Sequence, residues 1–461
     1  MEASIAQNNV ARRGAFTTTL GAVIATLGSA VGLGNIWKFP YVTGENGGAA
    51  FLMVYVACTL LVGLPVMIAE IALGRKARAN AITTMERLSN NRKQPWWLIG
   101  ALGAAAAFVI MAFYTEVAGW VYAYVFKAIG GWILTTNSEV TAKIFSDLVS
   151  NPFQSLVWQW VVLILMSIII FMGVTKGIER ATKFMIPSLF VMVLIVAGRS
   201  LTLDSAATAQ GLDFLFKPDF SKITSEAVLV AMGLAFFKLS VGMGCMITYG
   251  SYWQADQNIP MKTILIMFSD LIVSLLAGLA IFPAAYAFGF EPTAGPSLLF
   301  ITIPAIFASM PLGQVFMVLF FILTAFAANG AMLSLIEVPV AFLSERYNFS
   351  RLKATLLTAG LLAVIGSTAA LSGSTLANFK PFGKTMFDLF DYLSSNIMLP
   401  VGGFFIAIFV GWVWGRKNGE AELSNQGALQ NKTLISAFYF VLRYITPILV
   451  AIILLSGLGV I

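Results

Sequence analysis

Long apolar stretches separated by short polar segments recur along the whole chain. Each stretch is at least about 18 residues long, close to the length that an α-helix needs to cross a bilayer. The pattern predicts eleven spans, at 15–39, 48–73, 96–128, 154–173, 178–200, 224–252, 261–290, 308–344, 353–370, 385–415 and 434–459. The sequence therefore predicts an all-α integral membrane protein of about eleven transmembrane helices, with no separate soluble domain.

Two of these stretches are interrupted by glycine and polar residues, at "GSAVGLGNIWKFP" (Gly28–Pro40) and "FFKLSVGMG" (Phe236–Gly244). Glycine destabilises a helix, and lipid cannot satisfy the backbone groups that a broken helix leaves free. The interruptions lie five spans apart, which is typical of inverted-repeat transporters with a midplane binding site. Close packing of glycine-rich helices is the alternative. We expect one transporter domain over 1–461, with a first repeat at 15–200, a second at 224–415 and an extra helix at 434–459.

The charged residues indicate how the chain is oriented. Only 11% of residues are charged, 59% are hydrophobic, and the net charge is +7. With the N-terminus inside, eighteen Lys and Arg fall on cytoplasmic segments and seven on the opposite side. Because cytoplasmic loops are enriched in Lys and Arg, this asymmetry predicts a cytoplasmic N-terminus in the cell (plasma or inner) membrane. The lipid bilayer, and not a nucleic acid, is the expected partner of the excess positive charge.

Other functional classes receive little support. The chain has no histidine, and its two cysteines, Cys58 and Cys245, lie in predicted spans, so neither a disulfide framework nor a metal site is indicated. A membrane enzyme would need a nucleophile–base pair or metal ligands. A channel would need a continuous polar path, whereas the polar residues cluster at the two interruptions. We therefore expect a protein that is not an enzyme and that needs no cofactor.

Several motifs resemble the neurotransmitter:sodium symporter family. The segment "GSAVGLGNIWKFPYVTGENGGAAF" is similar to the first-helix signature of that family, and "LPVMIAEIALGR", "AFYTEVAGW" and "ITYGSY" resemble its second, third and sixth helices. The match runs in order over nearly the entire chain, with one helix fewer than the usual twelve. The resemblance implies a leucine-transporter-type fold of five-plus-five inverted repeats with broken helices 1 and 6. It also implies alternating access and a small amino-acid-like substrate; the oligomeric state stays open.

The resemblance places a substrate site at the two interruptions. Near the bilayer centre both charges of an amino acid must be met, and half-helix N-termini supply amides for its carboxylate. Tyr114 would donate to the carboxylate, and Ser240 would accept from the ammonium. An uncharged wall would favour leucine, isoleucine, valine or methionine, although each wall residue could equally be ordinary core. The expected substrate-binding residues are Ala30, Gly34, Ile110, Tyr114, Phe237, Lys238, Ser240, Met243, Ala331 and Leu335.

The family's gates also have counterparts. Lys38 stands where relatives have an outer-gate arginine, and Asp391 stands at the position of its partner aspartate. Because lysine lacks the arginine fork, we expect a looser outer gate. Arg13 and Glu345 match the cytoplasmic ion pair of the family.

The positions that bind sodium in relatives differ here. Asn35 is retained at the first sodium site, but Lys238 replaces a Ser or Thr, and Asp270 replaces an Asn. Two unit charges 4 Å apart repel by about 4 kcal/mol at an effective dielectric of 20, so the ammonium of Lys238 would exclude sodium. We expect that ammonium to be held among carbonyls of the broken first helix. These three residues, Asn35, Lys238 and Asp270, are our expected ion-coupling group. The prediction is a sodium-independent, proton-coupled transporter; ordinary sodium symport and a non-transporting amino-acid sensor are the alternatives.

The second sodium site lacks its usual hydroxyls, because Gly330 and Ala331 replace a Thr-Ser pair. Whether Asn329 compensates stays open. The chloride-linked position is Ser274, from which chloride dependence is not inferred. Three further acids, Glu70, Glu116 and Glu337, lie in predicted spans, and the resemblance favours Glu70 as a brace for the broken sixth helix.

Overall fold

The computed structural model describes residues 14–89, 94–290 and 298–457, and helices account for most of them. Nine are long and apolar enough to cross a membrane within the described residues, and a tenth span consists of two helices bent by 47°. We number the spans in chain order: span 1 (Thr19–Ala30 and Gly34–Glu45), span 2 (Ala49–Ala77), span 3 (Trp97–Ile129), span 4 (Pro152–Phe171), span 5 (Val174–Leu201), span 6 (Ser225–Lys238 and Cys245–Gly250), span 7 (Ile259–Ala287), span 8 (Gly313–Arg346), span 9 (Arg351–Gly373), span 10 (Met386–Trp414) and span 11 (Lys432–Ile452). The remaining predicted span, at 224–252, is the broken span 6, whose two helices are each too short to cross alone.

Shorter helices connect the spans. They are Ala81–Leu88, Ser138–Val149, Ser205–Phe216, Thr302–Ala308 and Arg416–Leu423, together with single turns of 3₁₀-helix at Phe220–Lys222 and Pro381–Gly383. These elements lie between the spans and connect one span to the next.

Capping residues fix where several spans begin. The side chain of Asn151 accepts a hydrogen bond from the backbone N–H of Gln154, with Pro152 in the first turn. Asn258 does the same for the first turn of span 7. These side chains satisfy amides that have no partner within their own helix, and proline lacks the donor that would go unused there.

The two breaks occupy short segments with distinct backbone conformations. Span 1 breaks after Ala30, where Val31 is extended. Span 6 breaks over 239–244, where Ser240, Gly242 and Gly244 have positive φ angles. At Gly242 a Cβ would also lie 2.5 Å from the carbonyl oxygen of Leu399 in span 10, so the turn requires glycine for conformation and for space.

Burial separates central spans from peripheral ones. In spans 3 and 8 more than 60% of the apolar window is buried inside the protein, against 33% in span 4 and 39% in spans 5, 9 and 11. Spans 1 and 6 bring their breaks together, joined by a 2.8 Å hydrogen bond from Ser240 Oγ to the carbonyl oxygen of Ser29. The breaks therefore lie in the interior of the bundle, away from lipid.

Close helix contacts depend on glycine at a few positions. A Cβ at Gly74 in span 2 would overlap the carbonyl oxygen of Ile247 in span 6. At Gly198 in span 5 the same atom would meet nothing within 4 Å. We expect Gly74→Ala to lower the apparent Tm in detergent, because overpacking costs about 1–3 kcal/mol. Gly198→Ala should raise it slightly, since alanine stabilises a helix by about 1 kcal/mol relative to glycine. Equal effects of the two substitutions would contradict this assignment of the contact.

Candidate substrate and ion site

Side chains accept hydrogen bonds from the backbone amides that the breaks leave free. The N–H of Leu33 donates to Tyr114 Oη at 2.8 Å, and the N–H of Gly32 donates to Asn35 Oδ1 at 3.2 Å. In span 6 the N–H of Gly242 donates to Glu70 Oε1 at 2.6 Å. Each of these partners is buried, so the breaks are held by side chains rather than by water.

A cavity with about 290 Å³ of empty space lies between the two breaks. Its lining consists of Ser29, Ala30, Gly32, Gly34, Ile110, Tyr114, Phe237, Lys238, Ser240, Met243, Ala331 and Leu335. All ten residues expected to bind substrate therefore lie together around one cavity. Ser29 and Gly32 were not predicted, although both belong to the interrupted stretch at 28–40 that indicated the site.

Two hydroxyl groups that line the cavity, those of Tyr114 and Ser240, keep hydrogen-bonding capacity for a ligand. Tyr114 Oη already accepts a hydrogen bond from Leu33, so its own O–H can donate to a ligand. Ser240 Oγ donates to Ser29, so its oxygen can accept from a ligand. A carboxylate and an ammonium could thus be met within the same cavity.

The remaining wall is apolar. Ile110, Met243, Ala331 and Leu335 are buried hydrophobic residues, and the ring of Phe237 lies 6.4 Å from the ring of Tyr114. Apart from Lys238, the lining residues carry no charge. Methionine has three rotatable bonds and a polarisable sulfur, so Met243 can adapt to side chains of different shape.

Lys238 forms an ion pair inside the bundle. Its Nζ lies 3.1 Å from Asp270 Oδ2, and both side chains are fully buried. The ammonium also donates a hydrogen bond to Ser274 Oγ and lies 4.7 Å from the ring centre of Tyr55 and 5.0 Å from that of Phe39. We expected the ammonium to be held among carbonyls of the broken first helix. Its polar partners in the described part of the chain are instead a carboxylate and a hydroxyl of span 7.

Asn35 completes this cluster. Its amide Nδ2 donates to Asp270 Oδ1 at 2.6 Å, to the Asp270 carbonyl at 3.1 Å and to Ser274 Oγ at 3.1 Å. The three expected ion-coupling residues therefore lie together, with Ser274 as a fourth member. We call Asn35, Lys238, Asp270 and Ser274 the charged cluster.

Spans 1 and 8 are in direct contact at Gly330, one of the two positions where the resemblance implies lost sodium ligands. A Cβ at Gly330 would lie 2.5 Å from the carbonyl oxygen of Gly28, so spans 1 and 8 touch through their backbones. The side-chain amide of Asn329 exchanges hydrogen bonds of 3.0 and 2.8 Å with the hydroxyl of Tyr122 in span 3. Gly330 and Ala331 have no side-chain oxygen, and the side chain of Asn329 contacts Tyr122 in span 3.

The expected outer-gate residues form an ion pair. Lys38 Nζ lies 3.3 Å from Asp391 Oδ1 and 4.7 Å from the ring centre of Phe237, which lines the cavity. Ser395 also donates to Asp391 Oδ1 at 2.8 Å. The pair is partly exposed, with 17% and 36% of the two side chains accessible.

On the opposite side, Glu345 accepts hydrogen bonds from the backbone and the side chain of Asn80 at 2.8 and 2.9 Å. Its expected partner, Arg13, lies outside the described residues. A second arrangement nearby was not predicted: Glu337 accepts from Tyr252 Oη at 2.7 Å and forms an ion pair with Arg351. Glu337 is recognisable in the sequence as an acid within span 8, but its partner Arg351 lies fourteen residues later, at the start of span 9.

Two other buried acids have hydrogen-bonding partners. Glu70 contacts the span 6 break, in agreement with a bracing role. Glu116 accepts from Trp120 Nε1 at 2.6 Å. Neither acid lines the cavity.

Comparisons with known proteins agree with this geometry. The pattern of the sodium:neurotransmitter symporter family matches residues 13–152 and 148–460. An uncharacterised sodium-dependent transporter of Bacillus subtilis, YhdH, is 37% identical over 96% of this chain and 98% of its own. The human sodium- and chloride-dependent taurine transporter is 25% identical over 90% of this chain and 73% of its own.

A solved structure shows the same architecture. MhsT in complex with L-phenylalanine superposes with a TM-score of 0.90 at 39% identity, covering 96% of this chain and all of that one. The expected fold class, with its broken helices 1 and 6, is thereby confirmed. This multi-pass membrane protein belongs to the sodium:neurotransmitter symporter family.

Proposed function

We propose that this protein is a secondary active transporter of neutral hydrophobic amino acids that works by alternating access without sodium, using protons as the coupling ion. The observation that carries the proposal is the buried Lys238–Asp270 ion pair beside a cavity with polar groups suited to an amino acid. One transporter domain over 1–461 would perform this function, with the repeats at 15–200 and 224–415, the extra helix at 434–459 and a cytoplasmic N-terminus.

The substrate would lie between the two breaks. Its carboxylate would accept from Tyr114 Oη and from amides near Gly34, while its ammonium would donate to Ser240 and to carbonyls of the breaks. Its side chain would contact the apolar wall. MhsT binds L-phenylalanine in a chain that is 39% identical, which supports a hydrophobic substrate. We favour aliphatic side chains, because the wall consists largely of aliphatic residues and methionine.

Lys238 would replace the first sodium ion. Sodium needs several oxygen ligands, but the side-chain oxygens of the charged cluster are already engaged by an ammonium and an amide. A cation entering there would meet the positive charge of Lys238 at short range. The closed contact between Gly28 and Gly330 supports the loss of the second ion as well.

Protons would supply the driving force through the same pair. Lys238 and Asp270 form one buried pair 3.1 Å apart, so the pair would take up or release a proton as a unit. In one conformation the pair would take up a proton from outside water. After the bundle rearranges, the proton would pass from the pair to water on the inner side. Ordinary sodium symport is the competing function, and it is favoured by the names of relatives such as YhdH.

The gates would act on either side of this site. Lys38 and Asp391 would close the outer side above Phe237, and Arg13 with Glu345 would close the inner side. A non-transporting sensor would share the cavity but would not need both gates.

Uptake measurements separate proton coupling from sodium symport. Proteoliposomes should accumulate labelled leucine when choline replaces sodium, and uptake should respond to an imposed pH gradient. Lys238→Ala should abolish leucine binding or make it depend on added sodium, because the site loses its fixed positive charge. A wild-type protein that requires sodium for binding would overturn the proposal, and binding without any uptake would indicate a sensor.

A double substitution controls for simple unfolding. Asp270→Asn alone leaves the Lys238 charge buried without its partner and should destabilise the protein by about 3–5 kcal/mol. Lys238→Ser combined with Asp270→Asn restores neutral residues typical of relatives and should be less destabilising. We expect the double variant, measured by thermal unfolding and uptake, to regain a sodium requirement.

Substrate class is tested by thermal shift. Leucine, isoleucine, valine and methionine should raise the Tm of the protein, whereas lysine and glutamate should not, because a buried charge would lack a partner in the apolar wall. Leu335→Trp should remove the leucine effect by filling the cavity, while Leu361→Trp on the exposed surface of span 9 serves as the control. Stronger stabilisation by lysine, glutamate or a polyamine than by leucine would contradict the assignment.

The outer gate is tested with Asp391→Ala. Because the pair is partly exposed, its loss should change stability by no more than about 1 kcal/mol. Leucine binding should persist, while uptake should fall at least about tenfold, since occlusion is lost and each 1.4 kcal/mol of a barrier is a factor of ten. Asp388→Ala, one turn earlier at an exposed position, should leave uptake near the wild-type rate. Loss of binding with an intact fold would show that Asp391 is not a gate.

A further inference from the structure

Arg443 is a charged residue within span 11, remote from the substrate cavity and the charged cluster. It lies eleven residues after Lys432, the first residue of the span, which is about 16 Å along a helix axis. Charged side chains inside a membrane usually face the protein interior and pair with an opposite charge. We therefore expect Arg443 to have a partner that is negatively charged or accepts hydrogen bonds.

That partner is not supplied by the described residues. Among them, no carboxylate lies within 4 Å of the Arg443 guanidinium, and its buried Nε has no hydrogen-bond acceptor. The guanidinium instead stacks on aromatic rings, 5.1 Å from the centre of Trp412 and 5.6 Å from that of Tyr444. The described residues thus hold the cation in place but leave its Nε without a hydrogen-bond acceptor.

The aromatic residues around Arg443 lie on the outer surface of the bundle. Trp412 is 44% exposed and Tyr444 is 51% exposed, with their rings 6.2 Å apart. Phe440, Tyr444 and Ile448 are spaced four residues apart and form one exposed apolar stripe along span 11. The side of Arg443 that carries these exposed rings is therefore accessible to the surrounding lipid.

The side chain of Arg443 is directed toward one surface of the bilayer. Trp412 lies two residues before the end of span 10, which Gly415, Arg416 and Lys417 follow. Helical side chains point toward the N-terminus of their helix, so the Arg443 side chain extends toward the same membrane surface. The charge asymmetry of the chain predicts that this surface is cytoplasmic. Tryptophan and tyrosine are enriched at the level of lipid headgroups.

We propose that Arg443, Trp412 and Tyr444 bind the phosphate of an anionic phospholipid of the cytoplasmic leaflet, with an acyl chain along Phe440 and Ile448. The arginine fork matches phosphate oxygens in two parallel hydrogen bonds, and the two rings hold the fork in position. Positive charge from Lys417 and Lys432 at the same surface favours an anionic over a zwitterionic headgroup. This site is independent of the transport cycle proposed above.

The experiment uses the full chain, delipidated in a nonionic detergent. Thermal unfolding is followed during titration with phosphatidylglycerol, with phosphatidylcholine of the same acyl chains, and with inorganic phosphate. Phosphatidylglycerol should stabilise the protein most. Arg443→Gln should weaken its apparent affinity about fivefold, the effect of one basic residue at a membrane surface. Lys353→Gln is the matched control, because Lys353 is also a cation stacked on an aromatic ring, 4.0 Å from the centre of Phe349.

A second variant guards against misfolding. Trp412→Ala keeps the charge but removes one ring, and it should weaken phosphatidylglycerol binding by less than Arg443→Gln does. Equal stabilisation by the two lipids, an unchanged response of Arg443→Gln, or an equal effect of inorganic phosphate would each overturn the proposal. So would a change from dimer to monomer on Arg443→Gln in light scattering, since the surface would then be an interface between two copies.

Discussion

A backbone amide or carbonyl without a partner is costly inside a bilayer, and this constraint governs the arrangement of the whole bundle. Spans 1 and 6 break beside the cavity, so other spans must satisfy the backbone groups that the breaks leave free. Span 3 provides Tyr114, and span 2 provides Glu70. The central position of these spans follows from that requirement, while spans 4, 9 and 11 are left at the lipid-facing periphery.

The same constraint applies more strongly to charge. Asp270 accepts from the amide of Asn35 and pairs with Lys238, so the broken first span, the broken sixth span and span 7 meet at one carboxylate. An isolated charge at this depth would be very unfavourable, whereas here each charge lies beside its opposite and Asp270 Oδ1 also accepts from Asn35. Substrate cavity and charged cluster thus share two spans, and a movement of either break alters both.

Much of this architecture could be predicted from the sequence. Length and apolarity located the spans, and the first-helix motif fixed the register so well that all ten expected substrate residues line one cavity. What could not be predicted are contacts set by side-chain direction between distant spans. Asn329 turns to Tyr122 rather than to span 1, and Arg351 reaches back to Glu337. The contact between Arg443 and Trp412 was also not predictable, because Arg443 belongs to no motif and Trp412 comes from another span.

If Lys238 takes the place of a sodium ion, as proposed, the protein needs no dissolved cation at that position. A dissolved ion has to be captured in every cycle, and its occupancy rises and falls with its concentration outside. An ammonium on a four-carbon stem is part of the chain, so the entropy of bringing it to the site is lost once, during folding. The cation of such a site can lose its charge by deprotonation, but it cannot dissociate from the protein. Its readiness to bind substrate would then be set by acidity, and would be the same in fresh water and in brine.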